Sequence, residues 1–333
     1  MPAGKKRKSG AGLFNPPFFY RLVLFTGLAF VIALADRAPI DLESITPDVL
    51  ISERFLYYWQ GVVFQFFPGP YVYRIVIPYL LWGFNILTSI DLITLDLILK
   101  ILLLSGAQLV LYHYFKEFLS KLEPLLGVLI FDAMLGFLLS FFKGPSVIET
   151  IDILNTLIIG AGLWAIYKRN YPLLATILFV GLLNRETPLL LLPILFLHEK
   201  LNKKNWSRVA LISVFSLLVF AAPRFLINTA SEPVWFSSTE LAYNLPFYSD
   251  SSSREAIIAN FRLIILLAPL MIIGLYKFKD HPKYLQIAAF MALALVVVHY
   301  FVGRIIETRL WMPLFPLLLP LVVRNLSLLS KQE

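Results

Sequence analysis

Long apolar runs broken by short charged clusters make up nearly the whole chain from Phe18 onward. The runs are rich in Leu, Ile and Phe and show no two-residue alternation, so they predict membrane helices rather than barrel strands. Full spans are expected at about 18–35, 96–114, 125–142, 150–167, 209–227, 259–276, 284–302 and 309–323. With the two short helices of a hairpin at 171–197, the pattern predicts an all-α, polytopic transmembrane bundle of about ten membrane helices, with interfacial helices in the first external loop, in a single integral membrane domain, 1–333.

Two segments break the pattern. Segment 171–197 has Lys168 and Arg169 before it and Lys200 after it, so it must return to the side it entered. At about 1.5 Å per residue it is too short for two full crossings. It predicts a hairpin of two short helices with Asn184, Arg185 and Glu186 at the tip and Pro188 opening the second leg. Segment 71–89, YVYRIVIPYLLWGFNILTS, is apolar enough to cross but would invert every later span. With Arg74 near its start and Pro78 inside, it predicts an interfacial or re-entrant helix. The stretch ERFLYYWQGVVFQFF at 53–67 suits an interface in the same way.

Composition sharpens this picture. The 333 residues are 59% hydrophobic and 15% charged, with mean hydropathy +0.77, which excludes an ordinary soluble domain. The net charge of +8 is distributed in clusters at 5–8, 116 and 121, 168–169, 200–208, 277–283, and 324 with 331. Those clusters mark the cytoplasmic side, so they are not a nucleic-acid footprint and no nucleic-acid partner is expected. The expected layout is a basic cytoplasmic tail at 1–17 and external loops at 36–91 and 228–258. The expected location is a bacterial or archaeal plasma membrane. Cysteine is absent, which removes thiol and disulfide chemistry. The four histidines are scattered without ligand spacing, so the sequence indicates no cofactor, and a divalent metal stays open.

Arginine partitions to the opposite side: Arg37, Arg54, Arg74, Arg185, Arg224, Arg254, Arg262, Arg304 and Arg309. Arg185 is the deepest. An arginine at mid-membrane costs about 2.5–3.5 kcal/mol on the lenient insertion scale, so this one should line a polar cavity or reach the interface. A forked guanidinium set suits a phosphate. Acids gather on the same side: Asp36, Asp41, Glu43, Asp48 and Glu53 after the first helix, and Glu149 with Asp152 at the fourth full span. A carboxylate close to such a cavity can act as general base for a hydroxyl. Glu307 and Arg309 stand at the mouth of the last span, whose Pro313, Pro316 and Pro320 predict a kinked helix. Arg185→Met should cost nothing in stability, because it takes a charge out of the membrane.

The acidic loop after the first helix, FLYYW with YRIVIPYLL, the hairpin's NRETPLLLLP and the final ETRLWMPLFPLLLP together resemble the GT-C class of membrane glycosyltransferases, over about 18–323. The resemblance implies an externally open site that moves a sugar from a polyprenyl-phosphate carrier to an acceptor, with or without a metal. It places the base on Asp36 or Asp41. It places the carrier phosphate on Arg74, Arg185 and Arg309, with Glu186 and Glu307 beside them. The chain lacks the paired acids of that class immediately after the first helix, so the base stays open between the two. The implied partners are a lipid-linked sugar phosphate and membrane lipids. A transporter or scramblase of lipid-linked or anionic substrates, and a polysaccharide polymerase or ligase, use the same kind of cavity.

Overall fold

The computed structural model describes residues 16–37, 63, 73–141, 149–199, 203–227, 253–302 and 311–330. Among the described residues the chain is all-α. In chain order the helices are α1 (Pro16–Arg37), α2 (Val76–Thr88), α3 (Leu92–Phe115), α4 (Glu123–Phe141), α5 (Thr150–Tyr167), α6 (Tyr171–Asn184), α7 (Leu191–Glu199), α8 (Lys203–Leu226), α9 (Ser253–Leu275), α10 (Lys283–Val302) and α11 (Leu314–Leu329). Four are long and apolar enough to cross a membrane: α3, α5, α8 and α10. Of the about ten expected membrane helices, these four meet that length and composition among the described residues.

The ends of the helices follow local chemistry. Asp91 starts α3 by accepting the Thr94 N–H at 2.8 Å, which moves the start upstream of the expected residue 96. Asn170 does the same for α6 through the Leu173 N–H, with Pro172 in the first turn. Helix α11 begins at Leu314 and runs to Leu329, later than the expected 309–323. Pro313 occupies the cap and Pro316 the first turn, where no backbone N–H is needed, so of the three prolines only Pro320 lies inside the helix.

Side-chain contacts sort the helix ends into two sets. At one end Lys168 pairs with Glu117 at 2.6 Å, Arg169 with Glu199 at 3.3 Å, and the Arg208 guanidinium lies over the Tyr171 ring. Asn325 joins this end from α11 by donating to Ile273 O at 2.6 Å and Tyr276 O at 2.8 Å. Arg21 of α1 lies over the Tyr112 ring of α3 at 4.7 Å, so these two helices run antiparallel and the C-terminus of α1 lies at the far end. This is the basic end.

The hairpin of α6 and α7 matches its expected form. The Arg169–Glu199 pair closes its base, and the chain reverses at Arg185 and Glu186 through a short 3-10 turn, Thr187–Leu190. Gly181 makes the reversal possible. A Cβ there would come within 2.8 Å of the Ile158 side chain and 2.9 Å of the Pro188 ring. Helix α2 is about 20 Å long at 1.5 Å per residue, too short to cross. Its first residues meet the hairpin tip through Ile75 N–H to Leu183 O at 3.1 Å, and its last lead directly into α3. Both ends of α2 therefore lie at the far end, and the parity of the later spans survives. Helix α5 is the centre of the bundle, with fourteen of its residues buried, Thr150 and Asp152 at its far end among them.

Candidate functional site

The far end brings charged groups from four segments of the chain together. Arg185 ends α6 in extended backbone, and its guanidinium Nη1 donates to Asp152 Oδ1 on α5. Both side chains are almost fully enclosed, at 4% and 1% exposure. Asp152 lies in the first turn of α5, where the helix N-terminus favours a carboxylate. Its second oxygen is buried with no hydrogen-bond partner among the described residues, so Arg185 supplies the compensating charge.

Glu186 is the open member of the cluster, with a side chain 43% exposed. Its Oε1 lies 3.9 Å from Arg74 Nη2 and 3.9 Å from Arg185 Nε, ion-pair separations rather than hydrogen bonds. Partial burial pushes the Glu186 carboxyl up, but the Arg74 and Arg185 guanidiniums, with Arg224 further off, outweigh it and hold the group below the usual carboxylate range. Arg224, in the last turn of α8, lies over the Phe220 ring at 3.7 Å and the Tyr73 ring at 4.9 Å, and donates to Phe220 O at 2.7 Å. Three arginines from sequence positions far apart thus stand around one partly exposed carboxylate.

Hydrogen bonds to backbone carbonyls fix this arrangement. Asn184 donates to Ile151 O at 3.1 Å, and the Ile75–Leu183 bond ties the tip to the residues before α2. One turn along α3, the buried Asp96 accepts the Thr150 hydroxyl, and Lys100 is buried a turn further in. Among the described residues no group of three His, Asp or Glu side chains is placed to hold a metal ion.

Of the residues singled out in the sequence, Arg74, Arg185 and Glu186 come together here. Asp36 belongs to the last turn of α1 and so to the same end, but its side chain lies outside what is described. Asp41, Glu307 and Arg309 lie outside the described residues. Two members were not assigned from sequence. Asp152 reads in the sequence as an acid at the top of the fourth full span, yet nothing local ties it to a partner 33 positions away. Arg224 was one of nine external arginines with no mark to distinguish it. A second buried pair was missed altogether: Gln108 of α3 donates to Asp132 of α4 at 2.8 Å. Its signal was present, since an aspartate inside an apolar run is rare without a role.

Compared with known proteins, the chain matches no family model, no curated sequence and no solved structure, so the site is read from its own residues.

Proposed function

We propose that the protein is a membrane glycosyltransferase of GT-C type, which takes a sugar from a polyprenyl-phosphate carrier on the external face of the membrane and passes it to an acceptor hydroxyl. The observation that supports this reading most is the gathering of Arg74, Arg185 and Arg224 around Glu186, at the end of the bundle where α1 delivers Asp36. Guanidiniums match a phosphate by parallel hydrogen bonds, and at membrane depth an anion is the ligand that rewards them. Asp36 or Asp41, on the chain that leaves α1, would take the proton from the acceptor hydroxyl. Glu186 is less suited to that step, because its arginines weaken it as a base.

The test is titration of a short-chain polyprenyl phosphate into the purified protein in detergent. Saturable binding that weakens with salt is expected, and no binding at millimolar lipid would sink the proposal.

The assigned side of the membrane has its own test. With the basic end in the cytoplasm, single cysteines at Ser44→Cys and Ser249→Cys should react with an impermeant thiol reagent on intact cells, and Asn202→Cys should be protected. The chain has no cysteine of its own to interfere. The reverse pattern would place the cluster on the cytoplasmic side and exclude an external donor.

A further inference from the structure

We propose that Asp152 is the positioning residue of this site: by holding Arg185 it sets the hairpin tip, and through the tip the distance of Glu186 from Arg74. The proposal concerns the site assigned above to the lipid-linked donor and rests on that reading for its role in binding, but the geometry stands independently.

The tip needs such a holder. Residues Arg185 and Glu186 lie between two short helices, with extended backbone at Arg185, and the main-chain bonds there do not set where the two side chains point. Backbone bonds from Ile75 N–H to Leu183 O, Arg185 N–H to Gly181 O and Leu189 N–H to Glu186 O fix the main chain through the tip, and the Asn184 side chain donates to Ile151 O. For the Arg185 side chain, Asp152 is the buried anchor that reaches it from the central helix. The charges then alternate from contact to contact, Asp152, Arg185, Glu186, Arg74, with only Glu186 substantially exposed, at 43%. Arg185 contacts Asp152 through Nη1 and faces Glu186 through Nε. One planar group therefore transmits the position of the rigid helix to the exposed carboxylate. Asp152 stands in the first turn of α5, a helix with fourteen buried residues, which makes it a fixed reference for the long Arg185 side chain.

The experiment uses Thr187→Cys, a half-buried position next to Glu186, in this cysteine-free chain, with Ser216→Cys in the interior of α8 as control. Modification rates by a thiol reagent are compared in the parent, Asp152→Asn and Asp152→Glu backgrounds. Asp152→Asn keeps the shape and removes the charge. It should raise the rate at position 187 about tenfold or more while position 216 stays unreactive, since a broken buried pair frees its segment locally. Asp152→Glu, which keeps the charge, should bring the rate back toward that of the parent. An unchanged rate at 187, equal rises at 187 and 216, or no rescue by glutamate would each overturn the proposal. The same proteins are titrated with polyprenyl phosphate. Weaker binding in Asp152→Asn, recovered in Asp152→Glu, ties tip position to the donor. A parent protein that binds no lipid would remove the transferase reading and leave the positional result intact.

Discussion

Replacing Arg185 with methionine is expected to destabilise the protein by about 3–5 kcal/mol, and adding Asp152→Leu to recover most of that loss. Arg185→Met leaves the Asp152 carboxylate enclosed at 1% exposure, with its other oxygen already lacking a hydrogen bond among the described residues. That is the costly situation for a buried ion pair: one partner gone, the other charged and dry. When both are replaced by apolar side chains of similar size, the pair's desolvation cost disappears along with its attraction, so the double variant should unfold close to the parent. The measurement is a double-mutant cycle from unfolding midpoints in detergent, with Asp152→Leu alone as the fourth corner. A loss below about 1 kcal/mol for Arg185→Met would mean that the pair behaves as a screened surface contact. This expectation reverses the one drawn from sequence, where removing a lone charge from the membrane looked harmless. The difference is the partner: the same substitution relieves an isolated arginine and strands a paired one.

How far the sequence carried follows from the same contrast. The bundle, the hairpin and the position of its tip were legible because they depend on run length and on which flanks carry charge, both local properties. The reading of α2 as a non-crossing helix came from parity, and its 13 residues are too few to cross. Helix starts were less legible, because caps such as Asp91 sit in polar stretches that resemble any other loop. Arg185 was legible as an oddity but not as half of a pair. Asp152 lies in a different helix, and a tertiary ion pair leaves no periodic trace. Arg224 could be told from the other arginines expected outside only by its place over Tyr73 and Phe220, which depends on α8 packing near the residues before α2. Asp132 had a local signal that was passed over, because a single acid in a span attracts less notice than a charged tripeptide between two runs.

Binding should be most sensitive at Arg74. Arg74→Lys is expected to weaken polyprenyl phosphate binding about tenfold, or about 1.4 kcal/mol, with the unfolding midpoint nearly unchanged. The backbone at this position is fixed independently, since the neighbouring Ile75 N–H is bonded to Leu183 O at 3.1 Å. Its pairing with Glu186 at 3.9 Å is a charge contact that an ammonium can also make, so lysine keeps that share of the stability. Affinity should fall further, because a phosphate is held best by two parallel N–H groups in one plane, and lysine offers a point charge on a flexible stem. Arg74→Met should lose roughly a further tenfold, since it removes the positive charge as well as the fork. The order parent, lysine, methionine is the informative result. Equal affinities in all three would take Arg74 out of the anion site, and a melting loss parallel to the affinity loss would reduce it to a structural partner of Glu186.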